Sequence, residues 1–112
     1  MVMKEAIREK VQRELDMAHQ AREEGYEGRA RVCARRAAGF AVKHYLKQRD
    51  VKLPTNNAYG LLENLESTPG LPQEIQKSLQ FLTLRVNEDH ELPQEADLIQ
   101  ESKKLIGFLF PD

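Results

Sequence analysis

The side chains of this chain that could do chemistry are few, and most fall in one stretch, ARVCARRAAGFAVKHYLKQRD, residues 30–50. Within it Arg31, Arg35, Arg36 and Lys43 offer guanidinium and ammonium donors that suit a phosphate or a carboxylate. The same stretch holds the single cysteine, Cys33, and one of the three histidines, His44. Cys33 sits among alanines with no base beside it, and reads as a small core residue rather than a nucleophile. His44 falls in line with Ala37 and Ala41, a position that favours a buried, hydrogen-bonded imidazole over a ligand. His19 belongs to no Cys or His cluster, and no metal or cofactor is expected. A Gly-rich phosphate loop, a Ser-His-Asp order and a paired-carboxylate motif are all missing from the sequence.

The elements that must position these groups are helices. Ala, Leu, Glu, Gln, Lys and Arg dominate, Trp is absent, and no run alternates as a strand would. A first helix is predicted from about Lys4 to Glu24, with Ile7, Val11, Leu15, Ala18 and Ala21 on one stripe. The turn GYEG leads into a second, from about Glu27 to Arg49, which DVKLP breaks because Leu53 precedes Pro54. Thr55 or Asn56 caps a short third helix carrying Leu61, Leu62 and Leu65. Pro72 opens a fourth with Ile75, Leu79, Leu82 and Val86, and Pro93 a fifth with Ala96, Ile99, Ile106 and Leu109.

On the second helix Ala30, Cys33, Ala34, Ala37, Ala41, His44 and Tyr45 form a broad stripe of mostly small residues suited to close packing. A narrower seam of Val32, Gly39, Val42 and Leu46 lies on the far side, rimmed by basic residues. That seam has three uses open to it: packing within the chain, forming a homodimer, or receiving a different partner.

Charge is unevenly spread. Residues 29–52 carry eight basic side chains against Asp50 alone, whereas residues 53–112 carry four basic against ten acidic, although the whole chain is only −1. Such separation implies attraction between opposite faces, within the fold or across a dimer, more readily than binding to nucleic acid. One cysteine excludes an internal disulfide, and the opening MVMKEAIREK lacks the apolar centre of a signal peptide. No stretch approaches the apolar length of a membrane span. A cytoplasmic protein is expected.

The order of these segments resembles the HEPN family, small helical domains named for nucleotide binding in prokaryotes and eukaryotes. The likeness covers about residues 4–110. It rests on the first helix ending in AREEGYEGRA, the Ala-rich ARRAAGFAVKHYLKQRDVKLP, the short NNAYGLLENL and the closing LPQEADLIQESKKLIGFLF. The resemblance implies an all-α, compact antiparallel four- or five-helix bundle, a single domain over residues 1–112 and commonly a homodimer. It also implies work beside a minimal nucleotidyltransferase, often as a toxin–antitoxin pair, and binding of a nucleotide or RNA. Relatives commonly carry Thr-His after the proline, where this chain reads Thr55, Asn56, Asn57. Many also read Arg-Tyr-Pro where it has Arg85, Val86, Asn87.

Catalytic members of that family carry an Arg, then four to six residues, then a His, and cleave RNA without metal, and RVNEDH, Arg85 to His90, has that spacing. A neutral His can move the proton of a ribose hydroxyl while Arg stabilises charge on the phosphoryl oxygens. Against this, a continuous helix would point the two about 140° apart. Glu88, Asp89 and Glu91 would also repel a phosphodiester. The expected role is therefore a binding or regulatory module with phosphate contacts at Arg31, Arg35, Arg36 and Lys43. Ribonuclease activity and a ligand-free oligomeric scaffold are the alternatives.

Overall fold

Apolar spacing alone accounts for most of the helices. The computed structural model describes residues 3–53, 55–84 and 96–111. Five helices run through them: α1 (Glu5–Glu23), α2 (Glu27–Gln48), α3 (Ala58–Glu66), α4 (Gln73–Thr83) and α5 (Leu98–Leu109). Helix α1 buries Val11, Leu15, Ala18 and Ala21, as its stripe predicts. Helix α4 likewise buries Ile75, Leu79 and Leu82, while Val86 lies outside the described residues.

The helix ends show local chemistry at work. After α1, Gly25 takes a left-handed φ of 86°. Its N–H reaches the Arg22 carbonyl at 3.1 Å, and that of Tyr26 reaches Ala21 at 2.8 Å, closing the helix with paired bonds. The end of α2 repeats this geometry with Asp50 at φ 56° and Val51 N–H on the Leu46 carbonyl at 3.0 Å. The chain thus leaves the helix before the Leu53–Pro54 break that the sequence suggests. The cap of α3 is Asn57, whose side-chain oxygen accepts from Gly60 N–H at 3.3 Å, and not Thr55 or Asn56. Thr55 instead accepts from Asn57 N–H at 3.0 Å and holds the turn. The last helix starts at Leu98, later than expected, because Asp97 caps it by accepting from Ile99 and Gln100 N–H at 3.1 and 3.3 Å. Pro93 lies outside the described residues.

Helix α2 is the hub. It packs on α1, α3 and α5, while α4 bridges α3 and α5, so that α2 to α5 close a ring and α1 leans on α2 from outside. Leu61, Leu62, Leu79, Leu82, Leu98, Ile99 and Leu105 fill the ring, each almost fully buried. Ala30, Ala34, Ala37, Ala38 and Ala41 have no exposed surface, because small side chains let the neighbouring helices come close.

This arrangement corrects the reading of Val32, Gly39, Val42 and Leu46 as a face left over for a second subunit or another partner. Gly39, Val42 and Leu46 are buried inside their own chain, and only Val32, 48% exposed, faces solvent. At Gly39 the fit is tight: an added Cβ would lie 2.9 Å from Ala58 Cβ and 3.2 Å from its Cα. An added Cβ at Gly28, on the same helix, meets nothing within 4 Å. The same exchange should therefore change sign with position. Gly39→Ala is expected to lower stability by about 1–2 kcal/mol, overpacking outweighing the gain in helix propensity. Gly28→Ala is expected to be neutral or stabilising by a few tenths. Urea unfolding of the two variants checks this, and equal effects would show that α3 yields freely to the extra methyl.

Candidate functional site

With its inner circumference used up, α2 presents one ribbon outward. Arg29, Val32, Arg36, Phe40, Lys43 and Lys47 recur at three- and four-residue steps, and all are exposed or half-buried. Phe40 divides the ribbon's flanks into two hollows. One, of about 360 Å³, lies against the start of α1, with Lys4, Lys10, Lys43 and Lys47 around it and His44 at its floor. The other, of about 260 Å³, lies towards α3 and is lined by Arg36, Lys43, Asn56 and Leu61. Lys43 and Phe40 belong to both. Five cations thus line the two hollows that share Phe40, and neither hollow is lined by a carboxylate among the described residues. Lys10 holds its ammonium 5.8 Å from the Phe40 ring centre. Arg36 approaches Glu14 at 3.4 Å, an ion pair whose arginine remains largely in solvent.

His44 is buried, as its place among the alanines suggests. Its ring stacks on Phe110 with centroids 5.8 Å apart. Its Nε2 accepts a long hydrogen bond from the backbone N–H of Lys4 at 3.5 Å and lies 2.9 Å from the Gln48 amide nitrogen. A backbone N–H can only donate, so Nε2 is the acceptor and the ring proton sits on Nδ1. Burial lowers the His44 pKa, and the charges of Lys4 and Lys47 lower it further.

The four basic residues expected to hold phosphate do not act together. Arg36 and Lys43 share a hollow. Arg31 lies elsewhere, in a depression with Arg22, Glu27 and Asp97. There Arg22 bonds Glu27 at 2.8 Å and Asp97 at 2.9 Å, joining the α1–α2 turn to the cap of α5. Burial pushes the Asp97 carboxyl up, but the hydrogen bond and charge of Arg22 and two backbone N–H groups bring it below its usual value. Arg35 corrects the expectation outright. It is buried, its Nε donates to the Leu82 carbonyl at 2.7 Å, and its guanidinium lies 4.3 Å from the Tyr59 ring centre. Leu82 is in the last turn of α4, where carbonyls lack a helical partner, so Arg35 caps α4 from within the bundle.

Arg85 and His90 lie outside the described residues. Cys33 is buried, and burial, reinforced by Glu14 against the opposing pull of Arg36 and Arg29, raises its thiol pKa, which suits a core residue rather than a nucleophile. Among the described residues no group of three or more His, Cys, Asp or Glu could hold a metal ion, and no helix is long and apolar enough to cross a membrane.

Sequence reasoning missed Lys4, Lys10 and Phe40, and placed Lys47 only as a rim charge. The spacing 36, 40, 43, 47 carries part of this signal, since it marks one helical line. Lys4 and Lys10 join it only because the start of α1 lies beside the end of α2. Asn56, beside the cap of α3, lines the second hollow. Comparison of the chain with protein-family models, with curated proteins and with solved structures finds no match.

Two outcomes follow from this geometry. Arg35→Ala is expected to cost about 2–4 kcal/mol, from a lost charged hydrogen bond and ring contact. Arg29→Ala, at an exposed position of the same helix, should cost no more than about 1 kcal/mol; equal losses in denaturant unfolding would contradict the internal role of Arg35. For His44, a lowered folded pKa means that the unfolded chain binds the proton first. Stability should therefore be complete above about pH 6.5 and decline as the pH falls below it. The decline should be shallower in His44→Gln, and a wild-type melting temperature that stays flat from about pH 8 to about pH 5 would refute it.

Proposed function

We propose that this protein is a binding module for a phosphate-bearing ligand, a nucleotide or a short run of RNA, held along the basic ribbon of α2. The observation that carries the reading is the convergence of Lys4, Lys10, Arg36, Lys43 and Lys47 on two hollows that share Phe40 and have no lining carboxylate among the described residues. Like charges so close repel one another, and an arrangement of that kind lowers its energy by taking up an anion. The half-buried Phe40 adds an apolar surface on which a base or ribose can rest. The resemblance to HEPN domains points to the same ligand class, and adds a minimal nucleotidyltransferase as the partner such a module would serve.

Binding of ATP and of a fluorescent single-stranded RNA, measured at low and high salt, tests this. Saturable binding that weakens with salt is expected. Lys43→Glu with Lys47→Glu should reduce affinity at least roughly tenfold while leaving the melting temperature nearly unchanged. Both are surface positions, so a folded double variant is expected. Failure of the wild-type protein to bind either ligand at low salt would remove the reading in favour of a scaffold without ligand.

A further inference from the structure

We propose that the hollow between α1 and α2 takes up a dianion, such as the terminal group of a phosphate monoester, together with one proton, and that His44 is the residue that accepts it. The inference rests on the anion-binding reading above and specifies its chemistry. Among the described residues His44 is the one imidazole in the lining of this hollow, lying at its floor between Lys43 and Lys47 of α2 and the Lys4 end of α1. The charged groups around the hollow are all cations among the described residues: Lys4 and Lys10 from α1, and Lys43 and Lys47 from α2. Gln48 and Phe110, which also contact the ring, are uncharged. In the empty hollow an imidazolium would stand against these ammonium groups, and its new N–H would point at the N–H of Lys4. The neutral ring is therefore held as an acceptor.

A dianion changes both conditions. It offsets two of the lysine charges and supplies acceptor oxygens beside the ring. The proton comes from solvent and is added to Nε2; no covalent bond breaks. The Gln48 side-chain amide, now donating to Nε2, can turn over to present its oxygen to the new N–H. The Lys4 N–H gives up its long bond to the ring, which leaves the start of α1 free to adjust around the ligand. A phosphodiester, with one charge per phosphate, provides less compensation, so the hollow should prefer a terminal monoester to an internal diester of the same nucleotide.

Sulfate, a dianion that does not itself titrate near neutrality, is the probe. Calorimetric titration of the full chain with sodium sulfate near pH 7, in two buffers of different ionisation enthalpy, should show uptake of a fraction of a proton, up to one, per anion bound. Affinity should rise by up to about tenfold for each unit fall in pH across the window where the free ring is neutral and the bound ring charged. His44→Gln should bind sulfate without proton uptake. Sulfate binding with no proton uptake, or with uptake undiminished in His44→Gln, overturns the role of His44 and leaves the groove reading standing. Absence of sulfate, ATP and RNA binding overturns both. Should His44→Gln fail to fold, the wild-type ring signal decides the matter by NMR: its midpoint must move up when sulfate is added, and an unmoved midpoint refutes the inference.

Discussion

The structure depends on how closely its second helix can be approached. Five alanines with no exposed surface, a buried cysteine and a glycine let α1, α3 and α5 settle around α2 at short range. Long side chains at those positions would hold the neighbours apart and open voids, each at a cost in dispersion and cavity energy. Once α2 is sunk in this way, nearly all its circumference is committed. The outward ribbon of Arg29, Val32, Arg36, Phe40, Lys43 and Lys47 is the main face that remains open to a ligand.

The same constraint separates two kinds of basic residue that look alike in sequence. Arg35 and Arg36 are adjacent, yet a 100° step carries one into the bundle and leaves the other in solvent. Arg35 is tolerated inside because its Nε finds the Leu82 carbonyl and its flat guanidinium lies over Tyr59. Arg36 reaches back to Glu14. Charge is balanced locally as well: Glu14 of α1 answers Arg36, and Asp97, the cap of α5, answers Arg22. The lysines around the α1–α2 hollow have no carboxylate among the described residues that line it, and that difference gives this region its chemical character.

His44 links core and surface. Its ring is packed on Phe110, just beyond the end of α5, while its Nε2 holds the start of α1 through the Lys4 N–H. One side chain thus touches three parts of the fold at the floor of the lysine-lined hollow. A change in its protonation would act on the packing of the chain's beginning and on the groove at once, because the same nitrogen serves both.

Much of the fold was legible in the sequence. Period and composition located all five helices, and the stripe of Val11, Leu15, Ala18 and Ala21, the leucines of α3 and α4, and the buried place of His44 followed from spacing alone. The ends were less legible: which of Thr55, Asn56 and Asn57 caps α3, and where α5 begins, turn on single hydrogen bonds. The site was legible only in part. Arg36 and Lys43 share a hollow, but Arg35 went inside, Arg31 went to another depression, and the seam of Gly39, Val42 and Leu46 was spent within the chain. Sequence periodicity says which residues share a face of one helix, because that follows from 3.6 residues per turn. It does not say how many faces the neighbours will cover, nor that Lys4 and Lys10 will stand opposite Lys43 and Lys47. Those depend on which helices pack together, and only the tertiary structure decides that.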